Sequence, residues 1–488
     1  MISRVQEALS EVLSNGYQIL PDAFELLRSL DVEHDVVHLI RVIIQIKSVE
    51  GYNKFEITKQ DIQNLLPRPV VRAETNDNEI IECDIKINSN ASVKPIESDG
   101  IEGFRSLMNS RFMKLLKIVK QRPDSSQIQK ISRLVSNNKP SKIAGLLMDK
   151  KIRRTGIEVT IDDDTGSITV YATDEGIKKK MIDLLTDQFV VADIGSGNQG
   201  KFVIKNIYPP DIPDRVSTTS KKTSYVVLTS DLHIGSKEFL EGSFIQFLKW
   251  LSGELGNDDV IKRVVCVVIG GDIVDGVGVY SGQKNELSVF NVVSQYNVFI
   301  KYIERIPKHI KIILMPGDHD STKQSLPQPS IPERYIGSLS TSDNVICLGN
   351  PCQFSVNGVK FLSYHGKSIE DVVAMTSGLS VARPTQAMKI LLKARHLAPV
   401  YGGKTPVAPG QDDSLVIDEI PDIFHTGHIH IVDVERYRGT VLLNSGSWQA
   451  QTKYQQNMGI NPTPGVVPMV NLATLEVTIK SFVSSSAT

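Results

Sequence analysis

At 488 residues the chain is too long for one hydrophobic core, so two to four domains are expected. Its 41% hydrophobic and 22% charged residues are ordinary for a soluble globular protein. With 54 basic against 55 acidic residues the net charge is −1, so any nucleic-acid surface must be a local basic patch or belong to a partner. The four cysteines, Cys83, Cys266, Cys347 and Cys352, form no CxxC pair, which argues against a disulfide scaffold or a thiolate zinc site and for a reducing compartment. The N-terminal stretch lacks a signal peptide's apolar core, and no apolar run nears the roughly 20 residues of a membrane span. A soluble, cytoplasmic protein without a membrane partner is expected.

Residues 1–67 read as a small helical interaction domain. Val5, Ala8, Leu9, Val12 and Leu13 recur at spacings of three and four. Asp22 is placed to cap a helix with Phe24, Leu26 and Leu27, and a third helix runs from Val36 to Ile43. Periodicity is lost over 68–100, a linker ending in Glu97-Ser-Asp-Gly100. A helix bearing Phe104, Leu107, Phe112 and Leu115 opens the next segment, 101–215. There Ile157–Ile161 and Ser167–Ala172 flank the hairpin signal Asp162-Asp-Asp-Thr-Gly166, and one helix precedes two further strands. Several short strands with one helix suggest a barrel of the OB type. Gly195-Ser-Gly-Asn-Gln-Gly200 matches GxGxxG, but Lys201-Phe-Val-Ile-Lys continues as a strand where a dinucleotide site needs a helix, so a hairpin turn is expected. From 216 to 488, apolar strands such as Ser224–Thr229, Arg263–Ile269 and Ile310–Met315 alternate with helices, which predicts an α/β domain.

Five motifs in this last domain carry chemistry: Asp231-Leu-His233, Gly271-Asp272-Ile-Val-Asp275, Gly317-Asp318-His319-Asp320, His365-Gly366 and Gly427-His428-Ile-His430. Each follows a strand-like run, so five loops bring Asp and His to one rim of the sheet, where α/β ligand sites form. Five of the ten histidines lie in these motifs, a concentration that scattered core histidines would not give. On extended exits residues i and i+2 point the same way, so Asp231 and His233 are expected to converge. Mixed carboxylate and imidazole ligands suit manganese, iron or zinc better than calcium or a pure magnesium site. Two metals about 3.5–4 Å apart can activate water and clamp a phosphate for in-line attack.

The set resembles the calcineurin-like metallophosphoesterases. The segments Gly276–Gln283, Leu326–Pro332, Leu392–Gly403 and Asn444–Thr452 are further similar to the small subunit of archaeal family D DNA polymerase. The resemblance covers residues 100–475, and 1–67 by architecture. It implies a calcineurin-like sandwich preceded by an OB-fold barrel and a helical domain. It implies Asp231, His233 and His430 on one metal, Asp318, His365 and His428 on the other, and Asp272 bridging through its two oxygens. His319 would protonate the leaving oxygen or steady the phosphate, and Asp275 would orient a ligand or loop. The implied activity is a manganese-dependent 3′–5′ exonuclease acting on a DNA primer 3′ end, with a large catalytic polymerase subunit and a sliding clamp as partners. Iron, zinc or magnesium are the other metals the ligand set allows. A catalytically inactive subunit that bridges polymerase and clamp is one alternative, and a free-standing metallophosphatase is another.

This sequence departs from the family at Asp318, where Asn is usual, and at Ser281, where Pro is common. Asp318 adds a negative charge and is expected to tighten metal binding and make the bridging water less acidic. Lys323, Gln324, Lys393, Arg395 and His396 are candidate phosphate contacts by their nearness to motifs. Tyr280 and Trp448 are candidates for stacking on a frayed base.

Overall fold

The computed structural model describes residues 4–483 except 15, 31–35, 38–39, 41–42, 45–55, 60, 63–81, 92–99, 123–126, 135–139, 155, 198–200 and 257. Two units result, residues 1–80 and 81–488. In the first, the helices Arg4–Ser14 and Pro21–Leu30 direct Val5, Ala8, Val12, Ala23 and Leu27 into one core, as their spacing dictates. Leu13 is 69% exposed, so it lies off the predicted face. Val36, Val37, Ile40 and Ile43 join the core, while the intervening residues of the third expected helix lie outside the described ones. Strands β1 (Gln18–Ile19) and β2 (Glu56–Ile57) pair in parallel, which the all-helical reading of this segment lacked.

The second unit begins inside the expected linker. Strand β3 (Ile85–Asn90) pairs antiparallel with β14 (Cys352–Val356), so this part of 68–100 belongs to a sheet. Of the rest of that linker, 68–81 and 92–99 lie outside the described residues. The helix Gly100–Lys120 then lays Phe112, Leu115 and Val119 against Ala144, Leu146, Phe189 and Val191 of a barrel. Strands β5 (Ser141–Arg153), β6 (Gly156–Asp163), β7 (Gly166–Ala172), β9 (Phe202–Tyr208) and β8 (Phe189–Ser196) run in that order, and β8 pairs back onto β5 to close the ring. Two-residue β4 (Ile128–Gln129) flanks β5. The helix Glu175–Ile182, capped by the Asp174 side chain, lies between β7 and β8 in the chain. Asp163 faces Gly166 across the β6–β7 hairpin, and β8 and β9 are antiparallel, as expected around the glycine-rich turn, whose residues 198–200 are outside the described set.

The remainder is a sandwich of two six-stranded sheets. One has the order β13 (Val345–Cys347), β12 (Lys311–Met315), β11 (Val264–Gly270), β10 (Tyr225–Thr229), β19 (Val466–Asn471), β20 (Val477–Ser481). The other has β17 (Asp433–Tyr437), β18 (Thr440–Asn444), β16 (Ile423–Thr426), β15 (Val359–Ser363), β14, β3. Val226, Leu228, Cys266 and Val268 of the first sheet meet Phe354, Phe361, Ile423 and Leu443 of the second in a shared core. The outer face of the first sheet packs on helices Glu241–Leu251 and Val292–Ile303. That of the second packs on Ile369–Met375 and Pro384–Ala394. Strands covered on both faces must be apolar throughout, which is why Val264–Gly270 is buried at every residue. The α/β class expected from 216 onward is therefore the one observed.

Candidate metal centre

All five motifs leave the carboxyl ends of strands in the two sheets. Asp231 and His233 follow β10, Asp272 and Asp275 follow β11, Asp318 and His319 follow β12, His365 follows β15, and His428 and His430 follow β16. The centre thus straddles the sandwich, with carboxylates mostly from one sheet and imidazoles mostly from the other.

The backbone at these exits is not extended. Among the described residues eleven non-glycine positions have positive φ, and five of them are Asp231 (53°), His233 (50°), Asp272 (50°), His428 (68°) and His430 (64°). The expected i, i+2 alternation of an extended strand therefore does not bring Asp231 and His233 together. Left-handed turns do, at a cost of about 1–3 kcal/mol each that the surrounding packing must offset. Close backbone approach completes the cradle: a methyl at Gly317 would strike the Asp272 and His365 side chains, and one at Gly427 would strike Asp231.

Three sets of side chains offer ligand atoms within 4.8 Å of one another: Asp231, His233 and His430; His233, Asp272 and His319; and Asp272, His365 and His428. The Nε2 atoms of His233 and His430 face each other at 3.1 Å, with Asp231 Oδ1 3.4 Å from His430 Nε2. His365 donates from Nδ1 to the Gly270 carbonyl at 2.9 Å, which leaves the lone pair on Nε2. That Nε2 is buried without a hydrogen-bond partner among the described residues, 3.3 Å from Asp272 Oδ2. An orphaned imidazole nitrogen beside a carboxylate suits a divalent cation, so the donor set fits a metal pair. The Asp272 Oδ1 atom accepts the His319 N–H at 2.8 Å, so Oδ2 is the atom left between the two histidine groups.

Asp318 is in none of these three sets. Its Oδ2 is 3.4 Å from His428 Nδ1, while Oδ1 is 3.4 Å from Lys367 Nζ. On the other side of the His428 ring, Glu370 Oε1 lies 3.3 Å from Nε2, and the Glu370 carboxylate is itself 3.1 Å from Lys404 Nζ. Lys367 and Glu370 went unread because a lysine and a glutamate beside a helix start look like ordinary solvated charge. Their places two and five residues after His365 were the available signal.

His319 donates from Nδ1 to the Asp275 carbonyl at 2.7 Å, so Nε2 is the nitrogen it can offer. Asp275 holds His233 Nδ1 at 3.1 Å and receives Gln283 Nε2 at 2.8 Å, so it fixes the His233 ring. Gln455 lies 2.9 Å from His430 Nδ1 in a similar place. Asp320 ties two loops together by accepting the N–H groups of Gly317 and Ile273 and the Tyr296 hydroxyl.

The electrostatics ask for positive charge. Burial alone would depress His233, yet Asp275, Asp272 and Asp231 hold it up at about 9. Burial alone would raise Asp231, but His430 and His365 bring it down to about 2. The His428 ring keeps Glu370 down at about 2 against the opposing effect of burial.

The expected phosphate contacts divide. Lys323, five residues after Asp318 in the chain, is exposed, and Gln324 Nε2 donates to the Asp318 carbonyl. Arg395 and His396 are only 3% and 1% exposed, and both are committed inside the fold. Arg395 donates to the carbonyls of Ile417 and Asp418, and His396 to Asp413. They are structural groups, not surface contacts. Trp448 is likewise core, with its indole N–H on Thr229 Oγ1, whereas Tyr280 is 41% exposed.

A family model for the B-subunits of DNA polymerases alpha and epsilon matches residues 226–430. The DNA polymerase II small subunit of Pyrococcus horikoshii is 36% identical over 428 residues, covering 80% of this chain and 69% of that protein. That of Archaeoglobus fulgidus is 36% identical over 465 residues, covering 93% of both. Among solved structures, an archaeal phosphodiesterase aligns with 52% of this chain and 98% of its own at 13% identity, with a TM-score of 0.27.

Proposed function

The chain belongs to the family of archaeal DNA polymerase II small subunits, and from that premise we propose that it is the 3′–5′ exonuclease of its polymerase. As a small subunit it has a large catalytic subunit as partner. We read residues 101–215 as an OB-fold module and 216–488 as a calcineurin-like phosphodiesterase domain. The helical domain 1–67 and the barrel serve contacts with the large subunit and a sliding clamp.

The observation that carries the reading is the complete ligand set, with His365 Nε2 buried and unpartnered beside Asp272. A family member kept only as a bridge has no reason to hold five strained backbone turns and a cluster of buried carboxylates at one rim. Two divalent cations, manganese in our reading, would supply Lewis acidity for in-line hydrolysis of a DNA phosphodiester. Asp231, His233 and His430 would hold one, His365, His428 and Asp318 the other, and Asp272 both. Asp275 fixes the His233 ring through Nδ1, so that Nε2 faces the centre. His319, pinned through Nδ1, presents Nε2 to the phosphate or to the departing 3′ oxygen and can deliver a proton there. Lys323, exposed just after the motif in the chain, is the candidate for a backbone phosphate further along the strand.

The test is manganese-dependent digestion of a 3′-mismatched primer by the wild-type chain and by His365→Ala. The variant is expected to lose more than about 100-fold in rate, because even removing a group that only supports a ligand commonly costs 10–100-fold. Equal digestion by both proteins, or none by either, would sink the nuclease reading and favour the inactive bridge.

A further inference from the structure

Beside the Asp and His cluster the chain exposes hydrocarbon. Along residues 277–280, Val277, Val279 and Tyr280 are 38–50% exposed, and a Cβ on Gly276 would meet both the His319 carbonyl and the Val279 side chain. The Tyr280 ring meets the His319 ring edge-on, with centroids 6.1 Å apart and planes at 65°, and His319 meets His233 at 4.7 Å. The Tyr280 hydroxyl donates to Glu286 Oε2 at 2.7 Å. The preceding N–H, of Val279, donates to Gln283 Oε1, and the same Gln283 amide holds Asp275. The ring is therefore fixed at its tip and at its root, and set against His319, yet 41% of the residue stays exposed. A tyrosine kept for packing would bury its faces.

Resting on the exonuclease reading, we propose that Tyr280 stacks on the terminal base of a single-stranded 3′ end whose scissile phosphate lies against His319 and the metal ligands. Stacking is blind to sequence because every base has a π face, which suits a site that must accept any of the four. Val277 and Val279 widen the apolar bed beside the ring. The proposal needs the base to be unpaired, so a paired 3′ end is a poorer substrate than a frayed one.

The test uses the full chain, Ca²⁺ and a single-stranded oligonucleotide with 2-aminopurine as its 3′-terminal base, whose fluorescence falls on stacking. Wild type and Tyr280→Phe are expected to quench it, and Tyr280→Leu to bind about 10-fold more weakly without quenching. With Mn²⁺, Tyr280→Leu should lower kcat/KM by a similar factor on this strand but not on one ending in an abasic sugar. No quenching by wild type overturns the proposal, as does an equal loss on both strands, which would make Tyr280 a brace for His319. Unchanged quenching in Tyr280→Leu with weaker binding of the large subunit overturns it in favour of a protein contact. Quenching without hydrolysis supports the stacking role while removing the exonuclease reading on which it was built.

Discussion

Asp318 has a local answer to its extra charge. One oxygen faces His428 and the other faces Lys367, whose side chain is 22% exposed, so the pair is only partly screened by solvent. The charge that was expected to tighten metal binding is therefore partly cancelled by a neighbouring cation. Asp318→Asn alone should leave Lys367 uncompensated beside the second metal position and weaken Mn²⁺ binding. Lys367→Met alone should strengthen Mn²⁺ binding, and the double variant should return near wild type. Calorimetric titration of Mn²⁺ into the four proteins measures each shift, expected at several-fold, on the order of 1 kcal/mol. No gain in Lys367→Met, or a double variant as weak as Asp318→Asn, would show that Lys367 does not offset the Asp318 charge. At this scale the side chains that meet at the centre were legible, because Asp and His in such motifs have few other uses. Arg395 misled for a physical reason. It terminates the helix Pro384–Ala394 in a left-handed turn (φ 54°) that folds its side chain back onto carbonyls, and sequence adjacency carries no sign of that.

At the scale of elements, the helix Gly100–Lys120 is fastened to the sandwich by a buried charge cluster. Arg111, 1% exposed, donates to Asp413 Oδ2 at 2.9 Å and to the Pro399 carbonyl at 2.7 Å. His396 donates from Nε2 to the same Asp413 oxygen and accepts the Ala398 N–H on Nδ1, so it is held neutral. Burial, with Arg111 close by, depresses its pKa below the ordinary 6.5. A base depressed in the folded state binds fewer protons folded than unfolded, so its contribution is complete above pH 6.5 and is lost as pH falls below it. Asp413 is held well below the usual 3.8 by His396 and Arg111 against the opposing effect of burial, so its share is lost only under stronger acid. Urea midpoints at pH 7.5 and 5.5 should therefore fall further for wild type than for His396→Gln, which carries no titrating ring. An equal fall in both would place the acid sensitivity elsewhere. The helix was legible from its apolar spacing, but its fastening was not, since Arg111 and Asp413 lie 302 residues apart in the chain. The edge strand β3 escaped for a related reason. Four of its six residues are exposed, so backbone pairing rather than a pattern of side chains makes it a strand.

For the whole molecule, the first helices, the barrel strands and the alternating strands and helices after them each carry their own repeat and turn chemistry in the sequence. What the sequence left unsaid is that the centre joins two sheets. Asp231, His233, Asp272 and Asp318 come from one, His365, His428 and His430 from the other. Without cations, the carboxylates there lean on neighbouring imidazoles such as His233, held up by Asp275, Asp272 and Asp231 against burial, and on Lys367. Metal binding should therefore stabilise the sandwich by cross-linking its layers and relieving that demand, with a gain of about 2.7 kcal/mol at a free concentration 100 times Kd. The unit of residues 1–80 has a separate core and contains none of the ligands. Calorimetry of the full chain in EDTA should show two transitions. Mn²⁺ should move the larger upward by several degrees and leave the smaller where it was. His365→Ala should abolish the shift, since it removes a ligand of the second sheet. A shift of both transitions, or one that persists in His365→Ala, would mean that the stabilising ion sits outside the proposed centre.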